Sequence, residues 1–274
     1  MRNAVKTAIF LALLGALFMG LGLVFGGTTG LVIGLAIGLV FVGGSYWFSD
    51  TLAIKAARAV PASREELPQV YAIVEDLSRR ADIPMPKIYV SPAAQPNAFA
   101  TGRSPHHAAV AVTRGILQVL NEDELRGVLA HELSHVRNRD ILISSVAAAV
   151  AMGILFVSRF ALFFGDEDSN PIAAIAMMIL APLAAVCLQA ALSRSREFEA
   201  DASGAHLLHD GESLARALEK IDAAARKTPM KIDPAHASAY IINPLTGRKM
   251  QFASLFSTHP PTADRIARLR NEQH

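Results

Sequence analysis

Cysteine is nearly absent from this 274-residue chain: Cys187 stands alone, inside an apolar run. A lone thiol excludes an internal disulfide and any zinc knuckle built on cysteines, and in that setting it reads as a small buried hydrophobe. Charge is scarce as well. Charged residues make up 18% of the chain against 52% hydrophobic, and 26 basic residues nearly balance 24 acidic ones, for a net charge of +2. Such a balance offers no basic platform, so no nucleic-acid partner is expected. The scarcity is concentrated rather than uniform. No charged residue occurs from Thr7 to Ser49, and Arg159 alone interrupts Ile141–Phe164. Runs of that kind point to a membrane protein.

As one helix, Thr7–Ser49 would be about 65 Å long, roughly twice the hydrocarbon core, so the run must turn. Gly26-Gly27-Thr28-Thr29-Gly30 is the place for the turn. Two spans are expected, Thr7–Phe25 and Leu31–Phe48, with Tyr46 and Trp47 at the position of an aromatic belt. Glycines at four-residue spacing, Gly30, Gly34 and Gly38, suit close helix packing. A cleaved signal peptide is the alternative for the first run, but that run leads straight into a second one. Two further spans, Ile141–Phe164 and Pro171–Leu192, flank the polar turn Gly165–Asn170. Basic residues gather on one side of all four: Arg2 and Lys6, Lys55 to Arg64, Arg137 and Arg139, Arg194 and Arg196. The positive-inside rule then predicts a multi-pass protein of the cytoplasmic membrane with both termini and both polar parts in the cytoplasm. The expected organisation is a transmembrane hairpin over 1–49, a polar part over 50–140, a second hairpin over 141–193 and a second polar part over 194–274.

The first polar part reads as mixed structure. Pro68 opens a helix whose Val70, Val74, Leu77 and Ala81 share one face. Lys87–Val90, Asn97–Thr101 and Ala108–Thr113 are short extended candidates for a small sheet. His106 and His107, in the turn between the last two, are either solvated turn residues or ligands.

The chemistry sits in Val128-Leu129-Ala130-His131-Glu132-Leu133-Ser134-His135-Val136. Asn121 followed by Glu124 is a capping box, so this stretch belongs to a helix. Four residues apart, His131 and His135 project from one face, where two neutral ring nitrogens can grip one zinc ion. Glu132 lies beside that face, placed to take a proton from a metal-activated water. A buried amphipathic helix would also show Leu125, Val128, Leu129 and Val136, but it has little use for three titratable groups at this spacing. A catalytic zinc needs a third protein ligand. Two apolar spans after His135 return the chain to the same membrane face, at Arg196-Glu197-Phe198-Glu199-Ala200-Asp201. Glu197, Ala200, Asp201 and Gly204 share a helix face, and Glu199 is rotated about 200° away from Glu197. The third ligand is therefore expected to be Glu197, with Asp201 holding a ligand imidazole from behind. His206 and His209 are the competing donors, further from the membrane.

His131–His135, Arg196–Asp201 and Thr258-His259-Pro260-Pro261, in this order around the four-span layout, resemble the HtpX-like membrane zinc metalloproteases, relatives of the type I CAAX prenyl proteases. The resemblance covers nearly the whole chain. It implies a gluzincin-type protease domain at the cytoplasmic membrane face, mostly α with a small β-sheet, and one Zn²⁺ per chain. Polypeptide substrates, foremost misfolded or damaged membrane proteins, and a role in quality control and stress response are implied with it. Asn97-Ala98-Phe99-Ala100 resembles the edge strand that pairs with substrate backbone, and His259 and Arg265 match a pair that flanks the reacting carbonyl. Read without the resemblance, His259 could cap a turn and Arg265 could be a surface charge. The rival expectation is a catalytically inactive polytopic scaffold or a transporter with a structural zinc site. A transporter calls for ionisable groups near mid-membrane, which the first two spans lack, and a dead scaffold has no need of Glu132.

Overall fold

The structure, a computed structural model, describes residues 2–142, 194–227, 241 and 260–271. Apart from Ile141, which is buried in the main core, and Leu142, the third and fourth expected spans lie outside the described residues, as does His259. What is described is mostly helical with one small mixed sheet.

Helix α1, Arg2–Ala56, holds the first apolar run. At Gly27 the backbone enters the left-handed region, φ 58°, and the chain doubles back. Gly22 then lies against Gly30, and Gly34 against Phe18, pairs that a straight helix would hold ~12 Å or more apart. The side chains of Leu23, Val32, Ile33, Leu39, Val40 and Phe48 are exposed along this element. Among the described residues, no helix is long and apolar enough to cross a membrane. Four transmembrane helices are thus a matter for proposal.

After α1 come strand β1 (Val60–Pro61), helix α2 (Pro68–Arg80), strands β2 (Lys87–Ser91), β3 (Ala98–Gly102) and β4 (Ala108–Thr113), and helices α3 (Arg114–Val119) and α4 (Glu122–Arg137). Beyond the second apolar run follow α5 (Arg194–Leu208), α6 (Glu212–Lys227) and α7 (Thr262–Asn271). The sheet order is β1-β2-β4-β3. Strand β4 pairs parallel with β2 and antiparallel with β3, so β3 forms one edge and β4 the buried centre. Sequence periodicity missed β1: two residues, one of them proline, carry no alternation, and they form only as an antiparallel edge on β2.

Residue parity assigns the two sheet faces. Ile88, Val90, Ala98, Val110 and Val112 join Ile73, Val74 and Leu77 of α2 and Leu125, Val128 and Leu129 of α4 in the main core. On the other face, Phe99, Ala109 and Ala111 pack against Ile54, at the end of α1. The turn after β3 meets the same helix, where the Arg103 guanidinium stacks over the Trp47 ring at 4.7 Å. Edge strand β3 is thereby clamped between α1 and α4.

Candidate metal centre and active site

Helix α4 begins with the expected cap. The Asn121 side chain accepts from the Glu124 N–H at 3.0 Å, and the Glu124 carboxylate accepts from the Asn121 N–H at 2.9 Å. Lys220 of α6 also donates to Glu124 at 2.8 Å, pinning the start of the helix. Helix α5 crosses α4 at the motif itself. A Cβ at Gly204 would stand 2.9 Å from the His131 backbone nitrogen, so this contact requires glycine. That close crossing carries Glu197 to the two histidines. One ligand atom from each of His131, His135 and Glu197 falls within 4.8 Å of the others. Among the described residues, these three are the cluster able to hold a metal. Glu199 is exposed and outside it, as the helix register requires. His106, His107, His206 and His209 are exposed and stand apart from the cluster.

The donor set fits zinc. Two imidazoles and one carboxylate are its preferred catalytic ligands, three from the protein with one position left for water or substrate. Both histidines also have a carboxylate behind them. Asp201 lies 2.9 Å from His131 Nδ1, and Asp140 lies 3.5 Å from His135 Nδ1. The first partner was expected from the sequence; the second was not.

Buried charge dominates the electrostatics. Burial pushes the Glu132 carboxyl up, against the opposing pull of the His131 and His135 rings. Burial acts to lower His135, but the hydrogen bond to Asp140 and the Glu197 and Glu132 carboxylates outweigh it and push it up to about 9. A bound cation reverses that balance, because it favours the neutral ring as its ligand. Asp201 is driven up by burial, yet the Arg265 guanidinium holds it well below the usual carboxylate range.

Arg265, 1% exposed, makes a two-point bond to Asp201 at 2.8 and 2.7 Å. Its third donor reaches the Ile241 carbonyl at 2.8 Å, and its Nη2 stands 3.4 Å from His131 Nδ1. Ile241 in turn donates its N–H to Asn97 Oδ1 at 3.0 Å. A buried chain of polar groups therefore runs from the residue before β3 to the first metal-helix histidine. Sequence inspection placed Arg265 near the reacting centre only by resemblance; nothing in its spacing announced the bond to Asp201.

Glu132 faces the edge strand. The Ala100 N–H donates to its Oε2 at 2.9 Å. Asn97 exchanges bonds with Thr113, its N–H donating to Thr113 Oγ1 and its carbonyl accepting the Thr113 N–H, both at 2.9 Å. Parity therefore turns the backbone N–H and C=O groups of Ala98 and Ala100 away from β4, toward the outer edge.

A Peptidase family M48 model matches residues 64–273, which include every residue of this cluster. The chain belongs to peptidase family M48. It is a metallopeptidase by family and by donor set. It is 48% identical over 283 residues to a "Protease HtpX homolog" of Syntrophobacter fumaroxidans, covering 99% of this chain and 100% of that one. Identity to a "Protease HtpX homolog" of Salinibacter ruber is 47% over 267 residues, 97% of each chain. The crystal structure of S. mikatae Ste24p superposes with a TM-score of 0.49 at 18% identity, covering 98% of this chain and 65% of that one.

Proposed function

We propose that this M48 peptidase is a zinc-dependent endopeptidase of the cytoplasmic membrane, with His131, His135 and Glu197 as ligands and Glu132 as the general base. The observation that carries the reading is the place of Glu132: it stands beside the ligand cluster, within electrostatic reach of His131, His135 and Glu197, and accepts from the Ala100 N–H of the sheet's edge strand. Zinc bound there would acidify a water and polarise a peptide carbonyl. Glu132 takes the water proton and later delivers it to the leaving amine; its raised pKa suits a group that must hold that proton between the two steps. An extended substrate adds to the outer edge of β3, over Asn97, Ala98, Phe99 and Ala100, and brings its backbone alongside Glu132. His259 serves as a donor to the developing oxyanion. Arg265, bound to Asp201 and Ile241 beside His131, supports the same charge at one remove.

Membrane residence draws on the apolar runs, the basic flanks and the HtpX relatives. In the proposed topology four spans cross the bilayer, and both termini and the metal centre face the cytoplasm. His135 precedes Ile141 by six residues and Glu197 follows Leu192 by five, so both ligands lie close along the chain to the ends of the second apolar block. Misfolded or damaged membrane proteins, presented as extended segments, suit such a cleft. The test is Glu132→Gln in full-length protein purified in detergent. It should keep its zinc and lose cleavage of an unfolded membrane substrate by about 10²–10⁴-fold. Cleavage at the wild-type rate by the zinc-loaded variant would sink the mechanism.

A further inference from the structure

Helix α4 ends in an unusual way. Arg139 adopts the left-handed conformation, φ 59°, at a position where glycine is the common choice. The Asp140 N–H then reaches back to the His135 carbonyl at 2.9 Å, and the Arg139 N–H reaches Val136 at 3.1 Å. This is the Schellman arrangement, in which the residue after the left-handed one lies over the residue five before it. That contact is ordinarily between two apolar side chains. Here it joins Asp140, 2% exposed, to His135. We propose that Asp140 is the positioning residue of His135: the turn places its carboxylate on Nδ1, so that Nε2 presents its lone pair to the metal.

The geometry gives the two ring nitrogens different partners. His135 Nδ1 faces Asp140 Oδ2 at 3.5 Å, while Nε2 faces Glu197 Oε1 at 3.7 Å. Both ring nitrogens thus face a carboxylate; with a metal held between Nε2 and Glu197, Nδ1 is the nitrogen left to carry the ring proton, and Asp140 is its acceptor. His131 has the same arrangement through Asp201, and each ligand imidazole thus has its own buried carboxylate. The two are held differently. Asp201 is fixed by Arg265 of α7, whereas Asp140 is fixed by its own backbone turn and lies within electrostatic reach of Arg196, at the start of α5. Asp140 and Arg196 stand on either side of the apolar block 141–193 in sequence.

The inference rests on the metal reading above, and the experiment separates the two. Full-length wild type, Asp140→Asn, Asp140→Glu and His135→Ala are purified metal-free, and Zn²⁺ and Co²⁺ affinities are measured by chelator competition, with apo thermal midpoints alongside. Wild type that binds no metal would overturn the metal reading itself. Given binding, Asp140→Asn should melt within about 3 °C of wild type yet bind each metal about 10–100-fold more weakly, with a shifted visible band for bound Co²⁺. Asp140→Glu should recover part of that loss, and His135→Ala should show no specific binding. Affinity of Asp140→Asn within about twofold of wild type would overturn the proposal. So would a loss that tracks a fall in apo midpoint and is not eased by glutamate.

Discussion

Asp201 is a buried carboxylate that answers to two partners at once, the Arg265 guanidinium and the His131 ring. Removing its charge leaves Arg265 buried and unpaired, a loss of about 3–5 kcal/mol for a broken internal ion pair. The depressed pKa gives the sign of the pH effect. Stability from this pair is complete above the ordinary aspartate value of ~3.9 and is lost as pH falls toward the lower folded value. Asp201→Asn should therefore lower the thermal midpoint at neutral pH and flatten its decline toward acid, followed by melts from about pH 3 to 7. A midpoint-against-pH curve parallel to that of wild type would show that Asp201 is not the group responsible. Residue identity was the most legible level of the sequence. His131, Glu132, His135, Glu197 and Asp201 follow from helix spacing, because one rotation per residue decides which carboxylates can face two histidines. Asp140 did not, since its contact depends on a left-handed residue that spacing rules assign to glycine.

Two helices make the cluster, and one small residue sets their distance. Gly204 backs directly onto the His131 backbone, so any side chain there pushes α5 away from α4. Gly204→Val should cost about 1–3 kcal/mol by overpacking and, by moving Glu197 outward, weaken metal binding more than stability alone explains. Metal content and apo melting of the variant check both parts. Unchanged metal affinity would mean that the crossing does not set the ligand distance. The elements themselves were read well where periodicity is strong. Helix α2 and strand β4 lie where their patterns put them, and the Asn121 capping box forms as expected. The order of the strands was not legible. Nothing in Lys87–Ser91 or Ala108–Thr113 states that they run parallel with β3 outside them; that follows from packing against α1 on one face and α4 on the other.

At the scale of the whole molecule, the site is split by sequence and joined by topology. His131 and His135 precede the second apolar block and Glu197 follows it. For the two halves to meet, that block must return the chain to its starting side. The proposed orientation can be tested with single cysteines in a Cys187→Ser background. Arg248→Cys should be shielded from an impermeant thiol reagent in intact cells, and Asp168→Cys should react. The opposite pattern would invert the membrane arrangement. The joined centre is tested most directly by metal analysis of full-length wild type, Glu197→Ala and Glu199→Ala, purified in parallel. These two glutamates share charge, helix and neighbourhood, and differ in which face of α5 they occupy. The account predicts about one zinc per chain in wild type and in Glu199→Ala, and little or none in Glu197→Ala. Zinc retained by Glu197→Ala and lost from Glu199→Ala would contradict it.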